Sequence, residues 1–384
     1  MNTTHAALTI PEGLFAAPAP RATWIKPLRS TVMLYGAGGL GKLASELLDS
    51  AGMAPALFVD LHPGCEAIDG VPVVTPEAVP ETLKTRATVL VSVVTSPYDP
   101  IKAFLQSKGF DDVRPFYDAA ELLVDQLHIT NGWLAGPLND TDKANIVNIF
   151  HGLADDASRA AYLQMLYWRV HRQERPFPGN TVSMADKWFP AEIRAALRDD
   201  EAFVDGGAYN GEVIEQFRQL VGDRFASIHA FEPDPSNFAQ LQAYVGALDQ
   251  GVRQRISIHP AGLGATNADA KFMAGRNMAS FVTDKGDERI SVLTLDSLDI
   301  PATFVKLHVE GAELDAIRGG IRFLQSRRPM VALTIYHNED GVWRTPLALM
   351  DALPDYVFLM RTHAWCGIST ILYAVPPERY VPVR

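Results

Sequence analysis

Residues Ala202 to Gly211 read AFVDGGAYNG: an apolar strand end, an acid, then a glycine turn that opens a helix. The pattern is D-x-G-x-x-x-G, over Asp205, Gly207 and Gly211. Glycine has no Cβ to collide with a neighbour, so such a turn brings backbone close to a ligand. The helix that follows offers unpaired N–H groups at its start, which favour a carboxylate. Asp205, Gly206, Gly207, Ala208, Asn210 and Gly211 are therefore read as a cradle after the first strand of an open sheet.

Downstream, strands are expected at Phe203 to Asp205, Ser227 to Phe231, Arg255 to His259, Phe304 to Val309 and Val331 to Tyr336, alternating with helices. Tyr356 to Arg361 and Thr370 to Val375 follow with no helix between them, so they should pair antiparallel at the sheet edge. Ligands of such sheets sit outside the carboxyl ends of the strands. The second strand ends in Glu232-Pro233-Asp234-Pro235, where Glu232 could accept hydrogen bonds from both hydroxyls of a ribose. The plainer reading is an exposed acid capping the helix Ser236 to Tyr244. After the third strand, Gly262-Leu263-Gly264 is a loop suited to an adenine edge, and Asn277 to Ser280 would close the same side. Glycine and serine in loops usually only shape turns. The fourth strand leads into Lys306-Leu307-His308-Val309-Glu310-Gly311-Ala312-Glu313 and a helical pattern at Leu314, Ile317 and Ile321.

FVDGGAYNG, FEPDP, K-x-x-V-E-G-A-E, TIYHNED and LYAVP occur in this order between Trp188 and Pro376, about half of the chain. In that order they resemble the FkbM-type methyltransferase family. The resemblance implies a class I adenosylmethionine fold, S-adenosylmethionine as cofactor, and methyl transfer to an oxygen, on a hydroxyl of a sugar, glycan or secondary metabolite. It matches Asp205, Gly207 and Gly211 to the cofactor loop, Glu232 to the ribose acid, and Lys306, Glu310 and Glu313 to the block after the fourth strand. The family usually has an acid where this chain has His308.

Methyl transfer to oxygen needs an in-line approach and removal of the hydroxyl proton. His308, with an ordinary pKa of ~6.5, could accept that proton as the neutral ring. A histidine packed at a strand end and bonded to backbone explains it equally well. Glu310 is either base or loop brace, and His337, beside Tyr336 at the end of the fifth strand, is the next candidate base. Imidazole and carboxylate can also ligate a divalent metal. These three residues lack short-range ligand spacing, so a hydrogen-bonded cluster without metal is expected. Arg361, Thr362 and His363 would touch substrate hydroxyls or lie solvated at the edge.

Upstream, Thr31 to Tyr35 leads into Gly36-Ala37-Gly38-Gly39-Leu40-Gly41, then a helical pattern at Leu40, Leu43, Leu47 and Leu48, then a strand at Ala56 to Val59 closed by Asp60. Strand, G-x-G-x-x-G, helix and acid compose the dinucleotide fingerprint. Gly36, Gly38, Gly41 and Asp60 are thus a second nucleotide site, for NAD(P) or a nucleotide-sugar. A phosphate loop is discounted because Leu43 stands where the magnesium-binding hydroxyl belongs. Two rival functions follow: an NAD(P)-binding oxidoreductase or bifunctional enzyme, against which no Tyr-x-x-x-Lys pair appears nearby, and a non-catalytic nucleotide-binding module. Val89 to Val94 and Val113 to Tyr117 complete this sheet, with a helix at Ile101 to Ser107. Between the sheets, Ile146, Ile149, Phe150 and Leu153, then Leu163, Leu166, Tyr167 and Val170, mark two amphipathic helices. An exposed apolar face on them would favour a homodimer. Pro176 to Asn180 breaks the pattern, and Trp188-Phe189-Pro190 precedes a short helix ending at Asp199-Asp200.

The chain has 384 residues, more than one core usually serves. The expected class is α/β: two doubly wound Rossmann-like domains joined by a helical connector. The divisions are a flexible tail at 1–28, a Rossmann-like domain at 29–125, the connector at 126–200 and a methyltransferase domain at 201–384. A net charge of −11 argues against tracking nucleic acid, which needs clustered Lys and Arg. Cys65 and Cys366 have no partner motif and should be reduced thiols. Neither a leader nor a bilayer-length apolar run is evident, so a cytoplasmic enzyme acting on a small-molecule or glycan acceptor is expected.

Overall fold

The computed structural model describes residues 8–16, 26–123, 136–275 and 280–382. Strand and helix alternate as read, and two mainly parallel sheets result. The first comprises β1 Val32–Tyr35, β2 Leu57–Val59, β3 Ala67–Ile68, β4 Val71–Val74, β5 Thr88–Val91 and β6 Asp112–Pro115, in the order β3-β4-β2-β1-β5-β6. Only β3 and β4 pair antiparallel, joined by Asp69-Gly70 at φ 49° and 82°. That is the dipeptide a tight hairpin requires; strands of such length show no alternation in sequence, and the reading above missed them. The strand expected to reach Tyr117 stops at Pro115, and Phe116 opens a helix to Leu122. Proline has no N–H with which to continue the ladder.

The second large sheet comprises β7 Ala202–Gly206, β8 Ser227–Phe231 and β9 Ile256–His259, then β14 Phe304–Leu307, β15 Met330–Thr334, β16 Val357–Thr362 and β17 Thr370–Val375. Their order is β16-β17-β15-β14-β7-β8-β9. Only β17 is reversed, pairing antiparallel with β15 and β16. Chain order turns back between β7 and β14, so the ligand crevice of an open sheet belongs there. Side chains alternate between two cores: Val305, Val331 and Leu333 enter one, and Phe304, Met330 and Ala332 the other. Burial on both faces is what a covered sheet demands. Between β9 and β14 lies a small sheet absent from the sequence reading: β10 Ala261–Leu263, β11 Ala268–Met273, β12 Phe281–Val282 and β13 Glu288–Leu293.

The connector helices run Asp140–Gly152 and Asp156–His171. Asn139 and Asp142 form a capping box on the first, and Asp155 caps the second. The second is not amphipathic, since every residue from Ala160 to Val170 is buried. The residues read as apolar faces of these two helices, Ile146, Ile149, Phe150 and Leu153, then Leu163, Leu166, Tyr167 and Val170, are buried within the chain. Trp168 from this helix and Cys366 from the β16–β17 turn enter the core of the first domain. Trp365 N–H reaches Val94 O at 2.8 Å. The supposed tail is partly packed as well: Leu14 is fully buried and its carbonyl bonds His171. The boundary near 125 lies outside the described residues. Among the described residues no helix is long and apolar enough to cross a membrane.

Candidate active site

β7 ends at Gly206, and the chain turns through Gly207 (φ 75°) and Tyr209 (φ 52°) to Gly211 (φ 94°), which caps the helix Glu212–Val221. A Cβ on Gly207 would stand 1.9 Å from His308 O, and one on Gly211 2.5 Å from the Tyr244 ring. These glycines let the loop lie against its neighbours. Gly207 and Ala208 donate to Phe231 O at 2.9 and 3.0 Å, which fixes the loop to β8.

The crevice beside this loop is walled by Gly207, Ala208, Glu232, Pro233, Gly262 and Leu263, all read as cofactor residues from sequence. Asp205, Gly206, Asn210 and Gly211 stand behind it. Asp205 is fully buried, 2.8 Å from Lys306 Nζ, which also donates to Gly207 O at 2.7 Å. The acid braces the loop through Lys306 and is not among the residues that line the crevice. Asn210 Oδ1 accepts from Glu212 N–H at 3.2 Å and so caps the helix.

Glu232 lies at the end of β8 with one carboxylate oxygen accepting from Tyr209 N–H at 2.8 Å and the other from Asp234 N–H at 3.0 Å. Burial raises its pKa, and these backbone donors offset part of that. The helix is capped by Asp234 instead, which accepts from Ser236 and Asn237 N–H. Asp234 also accepts from Gly275 N–H and Ser280 Oγ, at 2.8 and 2.7 Å, and Ser280 lines the crevice. Asn277 to Ala279 lie outside the described residues. Gly262 and Leu263 belong to strand β10, not to a loop, and Phe272 and Phe281 from the small sheet complete an apolar wall.

His308, Glu310 and His337 come together where β14 and β15 end. His308 Nε2 is 3.0 Å from Glu310 Oε1 and 2.9 Å from the Tyr336 hydroxyl. His337 Nε2 lies 3.4 Å from Glu310 Oε2, and its Nδ1 bonds Glu313 at 2.7 Å. Glu313 in turn accepts from Val309 N–H, Gly311 N–H and the Thr334 hydroxyl. Burial, reinforced by Lys187 and Lys306, holds the His308 pKa well below the usual imidazole value. Burial pushes Glu310 up to about 7, opposed by His337. Burial would lower His337 too, but Glu313 and Glu310 prevail and raise it. Burial likewise opposes ionisation of Glu313, and His337 with the donated hydrogen bonds brings its pKa below the ordinary value.

A second cleft, of about 450 Å³, opens between the two domains and is lined on one side by Leu40, Leu43 and Leu47 of the helix Gly39–Ser50. Its other side is His308, Glu310 and Tyr336. The two clefts share Lys187, Trp188, Glu212, His308 and Glu310. From sequence, Trp188 was named only as preceding a short helix and opening the stretch of family resemblance, and Lys187 was not named. Trp188 sits at φ 74° with its ring 5.5 Å from that of His308 and under Lys306 Nζ. Burial first, then Lys306, lowers Lys187 to about 8.

In the first domain, Asp60 accepts from Ala37 N–H at 2.8 Å and His62 N–H at 2.9 Å. The acid of the fingerprint thus holds its own loop. Gly41 packs on Gly36, where a Cβ would stand 2.0 Å from Gly36 O. Arg361, Thr362 and His363 line neither cleft and are largely buried. Arg361 pairs with Asp155 and Glu192, Thr362 is buried, and His363 is held by Ser183 O and the Tyr373 hydroxyl.

Residues 205–360 match the model of the methyltransferase FkbM domain. Over those residues the chain is similar to methyltransferases of that domain family. The solved structure of methyltransferase FkbM from Methylobacillus flagellatus is 20% identical, with a TM-score of 0.63, over 94% of this chain and 95% of that one. The likeness shows a shared fold through both domains and the connector. A putative rRNA methylase from Clostridium thermocellum is 14% identical over 47% of this chain and 91% of its own, with a TM-score of 0.30. The precorrin-6y C5,15-methyltransferase of Geobacter metallireducens is 15% identical over 51% and 94%, with a TM-score of 0.31. Both are too distant in shape to bear on the argument. No curated protein matches the chain.

Proposed function

We propose that the protein transfers a methyl group from S-adenosylmethionine, bound in the crevice of the second sheet, to a hydroxyl of an acceptor lying in the interdomain cleft. The observation that carries this reading is that the two clefts meet at His308 and Glu310. The crevice suits the cofactor. The Glu232 carboxylate is an acceptor placed for ribose hydroxyls, Phe272, Phe281 and Leu263 offer apolar walls to a purine, and the Gly207 turn admits close backbone approach.

When bound, the cofactor supplies an electrophilic methyl carbon on sulfur. The chain's own residues do the rest. The Asp205–Lys306 pair keeps the loop in place, Trp188 closes the junction, and His308 and Glu310 meet the acceptor hydroxyl and govern its proton. Glu313 and Tyr336 fix the two imidazoles. Leu40, Leu43 and Leu47 give the first domain a role as the acceptor's apolar wall, the acceptor being a sugar, glycan or secondary-metabolite derivative with one reactive hydroxyl. Calorimetric titration with S-adenosylmethionine and, separately, NADH tests the donor. Binding of one S-adenosylmethionine per chain is expected, and binding of NADH alone would reject the reading.

A further inference from the structure

We propose that His308, Glu310 and His337 form a site for one divalent transition-metal ion at the meeting of the two clefts. The catalytic role of that ion rests on the methyl-transfer reading; its binding does not. One ligand atom from each of the three residues can be chosen so that all lie within 4.8 Å of one another. The two contacts made by Glu310 are 3.0 and 3.4 Å. Ligands held ~2.0–2.2 Å from one ion in tetrahedral or octahedral geometry are themselves ~3.0–3.5 Å apart, so each imidazole nitrogen already stands at ligand-to-ligand distance from one of the two Glu310 oxygens.

An independent observation points the same way. The His337 side chain is 1% exposed, and its Nε2, directed at Glu310, makes no hydrogen bond. The opposite ring nitrogen is fixed by Glu313, whose oxygens are tied to two backbone N–H groups and Thr334. A carboxylate behind a histidine, setting which nitrogen faces forward, is the arrangement that orients metal ligands. Two imidazoles with one carboxylate suit first-row transition ions better than magnesium or calcium. Three protein ligands leave coordination positions open, as catalytic sites do, and His308 and Glu310 face both clefts. The Tyr336 hydroxyl shares His308 Nε2, so ion entry displaces that hydrogen bond. Ligands at 308, 310 and 337 come from two strand ends, which is why no spacing motif announces them.

An acceptor hydroxyl on such an ion ionises more readily. Its proton passes to solvent, an oxygen electron pair forms the new bond to the methyl carbon, and the carbon–sulfur bond breaks to leave the neutral thioether. Control of the proton then belongs to the ion, with His308 and Glu310 as its ligands.

The test uses the full chain after chelator treatment, titrated with cobalt(II) chloride and followed by visible ligand-field absorption and calorimetric stoichiometry, with zinc chloride as competitor. One ion per chain is expected. Glu313→Gln should weaken binding about 10–100-fold, and Glu310→Gln or His337→Ala should weaken it further. Circular dichroism and S-adenosylmethionine affinity show whether each variant folds. Tyr336→Phe keeps every ligand and should bind at least as tightly as the parent. Absence of stoichiometric binding, undiminished binding in the ligand variants, or loss of it in Tyr336→Phe would overturn the site. Donor affinity without ion binding rejects the ion alone, whereas ion binding without donor affinity rejects the methyl-transfer reading and leaves the site standing.

Discussion

At position 207 a single methyl group decides whether the turn after β7 can close, since a Cβ there would lie 1.9 Å from His308 O on backbone that already runs at positive φ. Gly207→Ala should therefore cost more than tenfold in S-adenosylmethionine affinity by calorimetry, and unchanged affinity would remove this loop from the site. Behind it, Lys306→Met would strand the Asp205 carboxylate in the core. Loss of one partner of a buried pair costs ~3–5 kcal/mol, readable as a lower urea midpoint, and adding Asp205→Asn should recover part of it. Gly207 and Glu232 are legible from the motif because what they supply is local: a turn without a Cβ, an acid at a strand end. The surroundings of Asp205 are not. Whether a strand-end acid faces a ligand or a lysine depends on the register of β14 beside β7, set 101 positions away in Lys306. His308, the family departure, proves to sit among Tyr336, Glu310 and Trp188; Glu310 stands in its own block and Tyr336 ends the neighbouring strand, whereas no pattern in that segment names Trp188.

Among the elements, the long parallel strands are plain in sequence because burial on both faces makes them continuous apolar runs. The small sheet escaped because only Phe272 of β11 is buried and its pairing with β13 is purely a matter of register. The helix expected through Ile321 breaks at Gly319-Gly320, where a Cβ on Gly319 would stand 2.1 Å from Gly264 O. That close approach docks the small sheet over the crevice. The connector also reaches into the site. Arg169 is fully buried on the helix Asp156–His171, and its guanidinium donates to Tyr336 O and Asn338 O. Arg169→Met should leave donor affinity nearly intact while lowering turnover, because it frees the segment that carries Tyr336 and His337. An equal loss in donor affinity and turnover would assign Arg169 to general stability.

For the whole molecule, the two domains are joined by apolar packing of Trp168 and Cys366, and Glu174 accepts from Cys366 N–H at that seam. Burial pushes the Glu174 carboxyl up to about 7, an effect that its hydrogen bond to Cys366 only partly counters. A carboxyl with a raised folded-state pKa favours folding in its protonated form. Its contribution is present in full below the unfolded value of ~4.3 and is lost as pH rises through about 7. The thermal midpoint of Glu174→Gln should therefore fall less between pH 5 and pH 8 than that of the parent, and parallel curves would contradict this. The two-domain plan was legible from alternation and glycine loops. What the first domain contributes was not: its fingerprint spends Asp60 on its own backbone, and its helix turns leucines toward the other domain.

The central claim is that the crevice between β7 and β14 holds the methyl donor with its sulfur toward the interdomain cleft. A crystal structure with S-adenosylhomocysteine tests it most directly. The account predicts the ribose hydroxyls on Glu232, the purine between Leu263 and the small-sheet phenylalanines, and the sulfur facing His308 and Glu310. A nucleoside bound elsewhere, or seated in the crevice with its sulfur turned from that junction, would contradict it.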